Sequence, residues 1–163
     1  MNVERLLLMR TILVNTGTEL LLGDVINEHL DFIAREIFAL GLRVDEQRTV
    51  PDGDAIRSTL AELFSRCEIL FVTGGLGPTT DDITRETIAD LLGLELQQNP
   101  NLLASLKHRL QTRRIKWTPN IARQAEVPAG AQVLANEHGS APGLYLKPNI
   151  APQTSSISSP LVE

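Results

Sequence analysis

The residues of this chain best suited to chemistry are two aspartates, Asp81 and Asp82, at the end of a glycine-rich segment. The segment, TGGLGPTTDD at 73–82, follows an apolar run that predicts a buried strand. Its three glycines let backbone N–H groups approach a ligand closely, and a predicted helix after the acids adds its N-terminal donors. Backbone donors and carboxylates at one point favour a phosphate-bearing ligand together with a metal ion.

An ordinary strand-to-helix connection also explains the glycine-rich segment. Glycine and proline are frequent in turns, and an aspartate at a helix N-cap satisfies free backbone donors. Thr79 and Asp82 have the spacing of a capping box, in which two side chains bond to each other's backbone. The glycine density exceeds what capping requires, so both interpretations, ligand site and connector, stay open.

Two known phosphate-binding motifs fit the segment poorly. A Walker loop is excluded because no Gly-Lys-Ser/Thr follows the glycines. The Rossmann fingerprint has its first half in Gly75 and Gly77, with Glu95 20 residues after Gly75. Thr80 stands in place of its third glycine, and the two aspartates would repel a pyrophosphate. A nicotinamide dinucleotide is therefore disfavoured.

The composition predicts one domain with an aliphatic core, because the 163 residues are 42% hydrophobic but only 4% aromatic. A net charge of −5 argues against nucleic acid or an anionic membrane as partner. Basic residues are mostly arginine, and none lies in the glycine-rich segment. A phosphate bound there would therefore need backbone dipoles or a metal ion.

The remaining sequence features favour a cytoplasmic protein. The single Cys67 excludes an intrachain disulfide, and the three histidines lack zinc-ligand spacing. The apolar run at 6–9 is too short for a signal peptide or a membrane span. We expect residues 1–8 to be an extension (or Met9 to be the functional start), 9–147 to form the domain, and the Pro- and Ser-rich 148–163 to be a disordered tail.

Strands and helices alternate along most of the chain. The pattern predicts strands at 11–15, 42–49 and 69–72, and helices at 27–40, from Asp52 or Asp54 to 64, and at 83–92. This alternation predicts a parallel sheet covered by helices on both faces. Further helices are predicted at 101–114 and 118–124, and edge strands at 131–134 and 144–146.

Three loops leave the carboxyl ends of the predicted strands, where open parallel sheets bind their ligands. The loops cover 16–23, 50–54 and 73–82, and their carboxylates are Glu19, Asp24, Asp52, Asp54, Asp81 and Asp82. Carboxylates brought together repel one another unless a cation joins them. Glu19 and Asp24 are equally suited to capping helices.

Several short motifs occur in a fixed order along the chain. They are GTELLLG at 17–23 followed by Asn27, TGGLGPT at 73–79 followed by Asp81, Asp82 and Thr84, Asn120 with Gln124 and Ala125, and GSAPG at 139–143. In order and spacing this set resembles the N-terminal domain of the competence/damage-inducible protein CinA, over roughly residues 10–146.

The resemblance implies a three-layer α/β/α sandwich with a mainly parallel sheet, the fold of the MoaB and MogA molybdenum-cofactor proteins. It implies a pterin or nucleotide phosphate as ligand, and hydrolysis of the pyrophosphate of ADP-ribose with a divalent metal ion. By position, Asp82 and Asp52 are the implied catalytic and metal-binding residues. The implied ligand-binding residues are Gly17, Thr18, Glu19, Asn27, Thr73, Gly74, Gly75, Leu76, Gly77, Thr79, Ser140, Pro142 and Gly143. We also expect a homo-oligomer.

The chain departs from the family pattern towards its C-terminal end. CinA proteins often carry a second domain that deamidates nicotinamide mononucleotide, and that activity is not carried over to this sequence. The family also continues after Ala-Pro-Gly into a further strand and a Pro-Gly-Val-Pro-type loop, which nothing here replaces. We therefore expect a truncated domain. Two alternatives to the hydrolase remain, a molybdopterin or nucleotide binding module and an inactive remnant.

Overall fold

The computed structural model describes residues 9–136 and 141–147. The strands are β1 (Thr11–Thr16), β2 (Glu46–Val50), β3 (Ile69–Thr73), β4 (Leu96–Gln98), β5 (Glu126–Pro128), β6 (Gln132–Leu134) and β7 (Gly143–Tyr145). The helices are α1 (Thr18–Leu22), α2 (His29–Phe38), α3 (Asp54–Leu63), α4 (Thr84–Leu91), α5 (Pro100–Thr112) and α6 (Pro119–Arg123). The predicted extension 1–8, the predicted tail 148–163 and Ser140 lie outside the described residues.

The central sheet has the order β2-β1-β3, and both strand pairs are parallel. Asn15 of β1 lies opposite Thr49 of β2 and Thr73 of β3 in the register. Since the strands are parallel, their carboxyl ends lie at the same edge of the sheet. The loops that leave this edge are therefore neighbours, as the strand–helix alternation predicts.

The hydrophobic core lies between β1 and α3. Ile12 and Val14 of β1 pack with Ile56, Leu60 and Leu63 of α3, and all five side chains are inaccessible to water. Leu13, which points to the opposite face of the sheet, is also fully buried. Burying one such aliphatic side chain stabilises a fold by about 1.5–3 kcal/mol. Burial on both faces confirms an α/β sheet covered on both sides.

Helix starts differ from the sequence expectations at two points. Helix α4 begins only at Thr84, with Ile83 in the N-cap position and no side-chain cap, so the prediction that Thr79 and Asp82 cap it is wrong. The Asp82 carboxylate does accept from the Thr79 N–H, but in the loop before the helix. Helix α3 has Gly53 in the N-cap position, and neither Asp52 nor Asp54 caps it. In contrast, α6 starts as predicted, with the Thr118 hydroxyl accepting from the Ile121 N–H.

Four short strands form two small antiparallel sheets beside the central one. β4 pairs with β5, and β6 pairs with β7, in which Gly143 lies opposite Leu134. The predicted edge strands at 131–134 and 144–146 exist, but they pair with each other rather than with the central sheet. β4 and β5 have only three residues each and no apolar alternation, so the sequence pattern did not indicate them.

Candidate functional site

The turn after β1 is joined to the loop after β2. The Gly17 N–H donates to the Val50 carbonyl at 3.1 Å, and the Thr18 N–H and hydroxyl donate to Oδ2 of Asp52 at 3.0 and 3.1 Å. The Asp52 N–H donates back to the Thr18 hydroxyl at 3.2 Å. The predicted site residues Gly17, Thr18 and Asp52 thus lie together.

Buried hydroxyl groups join the glycine loop, which we define as residues 74–83, to β1. The Thr16 hydroxyl donates to the Thr73 carbonyl at 3.1 Å and lies 3.3 Å from the Thr84 hydroxyl. A hydroxyl has a single hydrogen to donate, so the Thr84 hydroxyl is the donor of that second bond. The Thr84 N–H also donates to the Gly75 carbonyl at 3.1 Å. The glycine loop therefore has both its ends fixed against the strand.

The glycines of this loop pack against the protein itself. Gly74 has φ +90°, and a Cβ there would lie 2.1 Å from the Thr16 carbonyl oxygen. Gly75 has φ +64°, and a Cβ there would lie 2.1 Å from the Thr84 hydroxyl oxygen. Sequence reasoning attributed these glycines to close approach by a ligand. The structure shows that contact with Thr16 and Thr84 already requires a residue without a side chain.

Asp82 is fixed by its own loop. Its Oδ2 accepts hydrogen bonds from the Thr79 N–H, at 2.9 Å, and from the Thr79 hydroxyl. Burial opposes ionisation, but these bonds and one from the Gly77 N–H outweigh it, so the pKa of Asp82 lies below its ordinary value. Asp82 is therefore an ionised carboxylate in a defined position, whereas the adjacent Asp81 is exposed.

The two predicted metal ligands do not form a complete metal site by themselves. No group of three or more His, Cys, Asp or Glu side chains that could hold a metal ion occurs within 9–136 and 141–147. Magnesium is often bound by only one or two carboxylates, with the other positions filled by substrate phosphates and water. Asp82 and Asp52 therefore do not belong to a closed metal cage within the described residues.

Free backbone donors lie in the middle of the glycine loop. Within the described part of the chain, the N–H groups of Gly75 and Leu76 donate no hydrogen bond. Both residues are half-buried. Unpaired backbone N–H groups beside a helix N-terminus are donors to which a phosphate can bind.

A row of polar side chains, with the buried Asn15 at its centre, runs across the three strands just below the loops. The Asn15 amide, which is inaccessible to water, donates to the Thr73 hydroxyl at 2.6 Å. Its carbonyl oxygen accepts from the Gln47 amide at 2.8 Å, and Gln47 also donates to the Thr49 hydroxyl at 2.8 Å. Sequence reasoning placed Thr73 in the site but missed Asn15, which in the sequence is only the last residue of a predicted strand.

An arginine reaches the start of α4 from a distant part of the sequence. Arg123, the last residue of α6, donates from Nη2 to Oε1 of Glu86 at 2.8 Å, and its charge contributes to lowering the pKa of Asp82. Sequence reasoning found no cation for a phosphate in this region. Arg123 places a positive charge in this region, and no local pattern in the sequence indicates that contact.

The other predicted ligand-binding residues have roles in local structure. The Asn27 side chain accepts from the His29 N–H at 3.1 Å, just before α2. The Glu19 carboxylate lies against Gly17, since a Cβ on Gly17 would meet its Oε1 at 2.4 Å. Pro142 and Gly143 lie at the β6–β7 pair. No helix in the described ranges is long and apolar enough to cross a membrane.

Fold and loops together define a class of protein. A doubly covered parallel sheet with interlocked loops at its carboxyl edge is the architecture of α/β domains that bind small molecules. The family model described as "Probable molybdopterin binding domain" matches residues 12–156, and the chain belongs to this family.

Known relatives agree with that assignment. The chain is 41% identical to a CinA-like protein of Akkermansia muciniphila over 138 residues, which cover 85% of this chain and 33% of the relative. It is 39% identical to a CinA-like protein of Trichormus variabilis, with 83% and 33% covered. The chain thus spans about a third of the length of these relatives. The resemblance to CinA is confirmed.

A solved structure supports the fold. The crystal structure of CinA from Thermoplasma acidophilum, a protein of unknown function, superposes with a TM-score of 0.73 at 28% identity. The match covers 83% of this chain and 80% of that one. The α/β fold with a mainly parallel sheet, expected from the sequence, is therefore confirmed.

Proposed function

We propose that the glycine loop binds the phosphates of a nucleotide or pterin, and that the domain hydrolyses the pyrophosphate of ADP-ribose. The observation that carries the proposal is the pair of free N–H groups at Gly75 and Leu76, in the same loop as the ionised Asp82. These groups supply two donors for phosphoryl oxygens. Asp82 supplies one negatively charged oxygen ligand next to them.

Asp82 would hold a divalent cation that is shared with the ligand, and Asp52 would support it from the neighbouring loop. A bound cation would neutralise charge on the pyrophosphate. The residues of the chain do the remaining work. Thr79 fixes the Asp82 carboxylate, Thr18 fixes Asp52, and the contacts of Gly75 with Thr84 hold the loop in place.

A second candidate is a binding module without hydrolysis. It is favoured by the lack, among the residues the structure describes, of three grouped metal-ligating side chains. In this case the same loop would bind a molybdopterin or nucleotide phosphate and release it unchanged. Binding and hydrolysis must therefore be measured separately.

Ligand-induced thermal stabilisation tests binding first. ADP-ribose, AMP and a pterin phosphate are each added with and without Mg²⁺, because a ligand that binds only the native state at about 100 times its Kd stabilises it by about 2.7 kcal/mol. Chromatography then detects AMP and ribose 5-phosphate. Stabilisation by ADP-ribose without product supports the binding module, and no stabilisation by any of the three contradicts both candidates.

Asp82→Asn tests the role assigned to Asp82. The amide keeps the shape and still accepts from the Thr79 N–H, so we expect a folded protein that has lost hydrolysis of ADP-ribose. Asp81→Asn is the matched control, because it removes the same charge from an exposed neighbour. Equal turnover by the Asp82 variant and the unmodified protein would remove Asp82 from the mechanism.

We further propose that the domain is a cytoplasmic homo-oligomer. Support for self-association comes from exposed apolar side chains on and before α2, of which Ile26 is 85% and Phe32 66% accessible. Sedimentation velocity at increasing protein concentration measures the assembly. A monomer at all concentrations, unaffected by Phe32→Ser, would contradict it.

A further inference from the structure

Two arginines share one carboxylate oxygen at the start of α4. Oε1 of Glu86 accepts from Nη2 of Arg85 and, at 2.8 Å, from Nη2 of Arg123. The cluster carries two positive charges and one negative charge, and the charge of Arg123 also acts on the ionised Asp82 and lowers its pKa. Arg85 is only 3% exposed, whereas Arg123 is 31% exposed. Arg123 is therefore the arginine of this cluster that a ligand can reach.

The hydrogen bonding of this cluster is incomplete. Nε of Arg85 and Oε2 of Glu86 are both buried and have no hydrogen-bond partner. Buried polar groups in native proteins almost always have partners, and the exceptions need an explanation. A cluster that served only to clamp α6 to α4 would gain nothing from a second, deeply buried arginine on the same oxygen. A role in holding Arg123 in place accounts for the buried Arg85 and its shared carboxylate oxygen.

The cluster and the glycine loop are joined through the first turn of α4. Thr84, which bonds to Gly75 through its N–H, lies two residues before Glu86 in the first turn of α4. Arg123 donates to Glu86 only through Nη2, so its other N–H groups have no partner within the described part of the chain. A guanidinium presents five donors and pairs well with phosphate oxygens.

We propose that Arg123 binds a phosphoryl oxygen of the ligand in the glycine loop, and that Glu86 and Arg85 position its guanidinium. This inference rests on the proposed function only in that the glycine loop is the ligand site. It adds the cation that the loop itself lacks, and it predicts that inorganic pyrophosphate alone is bound. Arg123 is a binding residue, whereas Glu86 and Arg85 act through it.

Calorimetric titration of the full chain with inorganic pyrophosphate tests the assignment. We expect Arg123→Gln to weaken pyrophosphate binding by about 10–100-fold, since a charged hydrogen bond is lost. Arg123→Lys keeps the charge but not the planar fork, so a smaller loss is expected. Arg57→Gln is the matched control. It removes an arginine that pairs with Asp90 of the same helix α4 but is 56% exposed.

Unfolding by urea is measured for each variant, so that a structural loss is recognised. Where Arg123→Gln does not fold, Arg123→Lys decides the question. The assignment would be overturned if a folded Arg123 variant bound pyrophosphate as tightly as the unmodified chain. It would also be overturned if Arg57→Gln lowered the affinity equally, or if the unmodified chain did not bind pyrophosphate. Pyrophosphate binding that depends on Arg123 without ADP-ribose hydrolysis would uphold it and refute the hydrolase. ADP-ribose hydrolysis that is unaffected by Arg123→Gln would uphold the hydrolase and refute the role assigned to Arg123.

Discussion

Gly75→Ala tests whether the glycine loop is required by the packing of the protein itself. Gly75 has φ +64°, and an added Cβ would lie 2.1 Å from Oγ1 of Thr84 and 3.0 Å from its Cβ. Gly93, after α4, has nearly the same φ, +65°, but an added Cβ would meet nothing within 4 Å. The two alanine variants therefore differ in the steric contact and share the backbone strain.

The expected magnitudes follow from these two terms. Placing an L-residue in the left-handed conformation lowers the stability of the fold by about 1–2 kcal/mol in both variants. Overpacking a buried contact lowers it by about 1–3 kcal/mol more, and only in Gly75→Ala. We expect Gly93→Ala to destabilise the domain by about 1–2 kcal/mol and Gly75→Ala by about 2–5 kcal/mol.

Urea unfolding followed by circular dichroism gives both free energies by linear extrapolation. The double variant Gly75→Ala with Thr84→Ala checks the cause, because it removes the oxygen that the new Cβ would meet. We expect it to be more stable than the sum of the single losses by about 1 kcal/mol or more, within the range measured for contacting residues. Equal losses at Gly75 and Gly93, or strict additivity with Thr84→Ala, would refute the steric explanation.

Three further predictions concern the core, the polar row and the response to acid. Leu60→Ala should destabilise the domain by about 2–5 kcal/mol in urea, because Leu60 is fully buried, whereas exposed Phe38→Ala should change it by less than about 0.5 kcal/mol. Asn15→Ala should cost about 1–3 kcal/mol because it removes a fully buried side chain together with its hydrogen bonds to the half-buried Thr73 and to Gln47, and a loss no greater than that of exposed Thr80→Ala would contradict this. Hydrogen bonds from Arg48 lower the pKa of Glu62 to about 2, from an ordinary value of 4.5. A lowered pKa stabilises the fold above the ordinary value, so the urea midpoint should fall as the pH drops from 4.5 towards about 2, and Glu62→Gln should reduce that fall.

The central sheet could be predicted because its strands are distinct in the sequence. Short apolar runs bounded by glycines and separated by helical periodicity indicate parallel strands, and this pattern located β1 and β3 to within one residue. β2 begins at Glu46 rather than at Leu42, because the Leu42 N–H still donates to the Ile37 carbonyl at the end of α2 and pairing with β1 starts only at Glu46. The apolar pattern alone does not show where strand pairing starts.

The candidate site could be predicted only where its residues are close in sequence or lie at strand ends. The strand order brought Thr18 to Asp52, as the convergence of loops predicts. Arg123 and Asn15 could not be found in this way, since their roles depend on contacts between distant segments. The packing of Gly74 and Gly75 against Thr16 and Thr84 could not be predicted either, because a sequence shows that glycine is present but not which atoms approach it.

The polar row of Asn15 has a consequence for how the strands align. Neighbouring apolar strands can slide by two residues and still present the same faces, so hydrophobic burial alone specifies their offset weakly. Here such a slide would move the fully buried Asn15 amide away from Thr73 and Gln47 and leave both of its polar atoms unpaired. One asparagine thus sets the heights of the strand ends relative to one another. Because each loop starts at a strand end, Asn15 acts as a spacer that fixes where the three loops begin relative to one another.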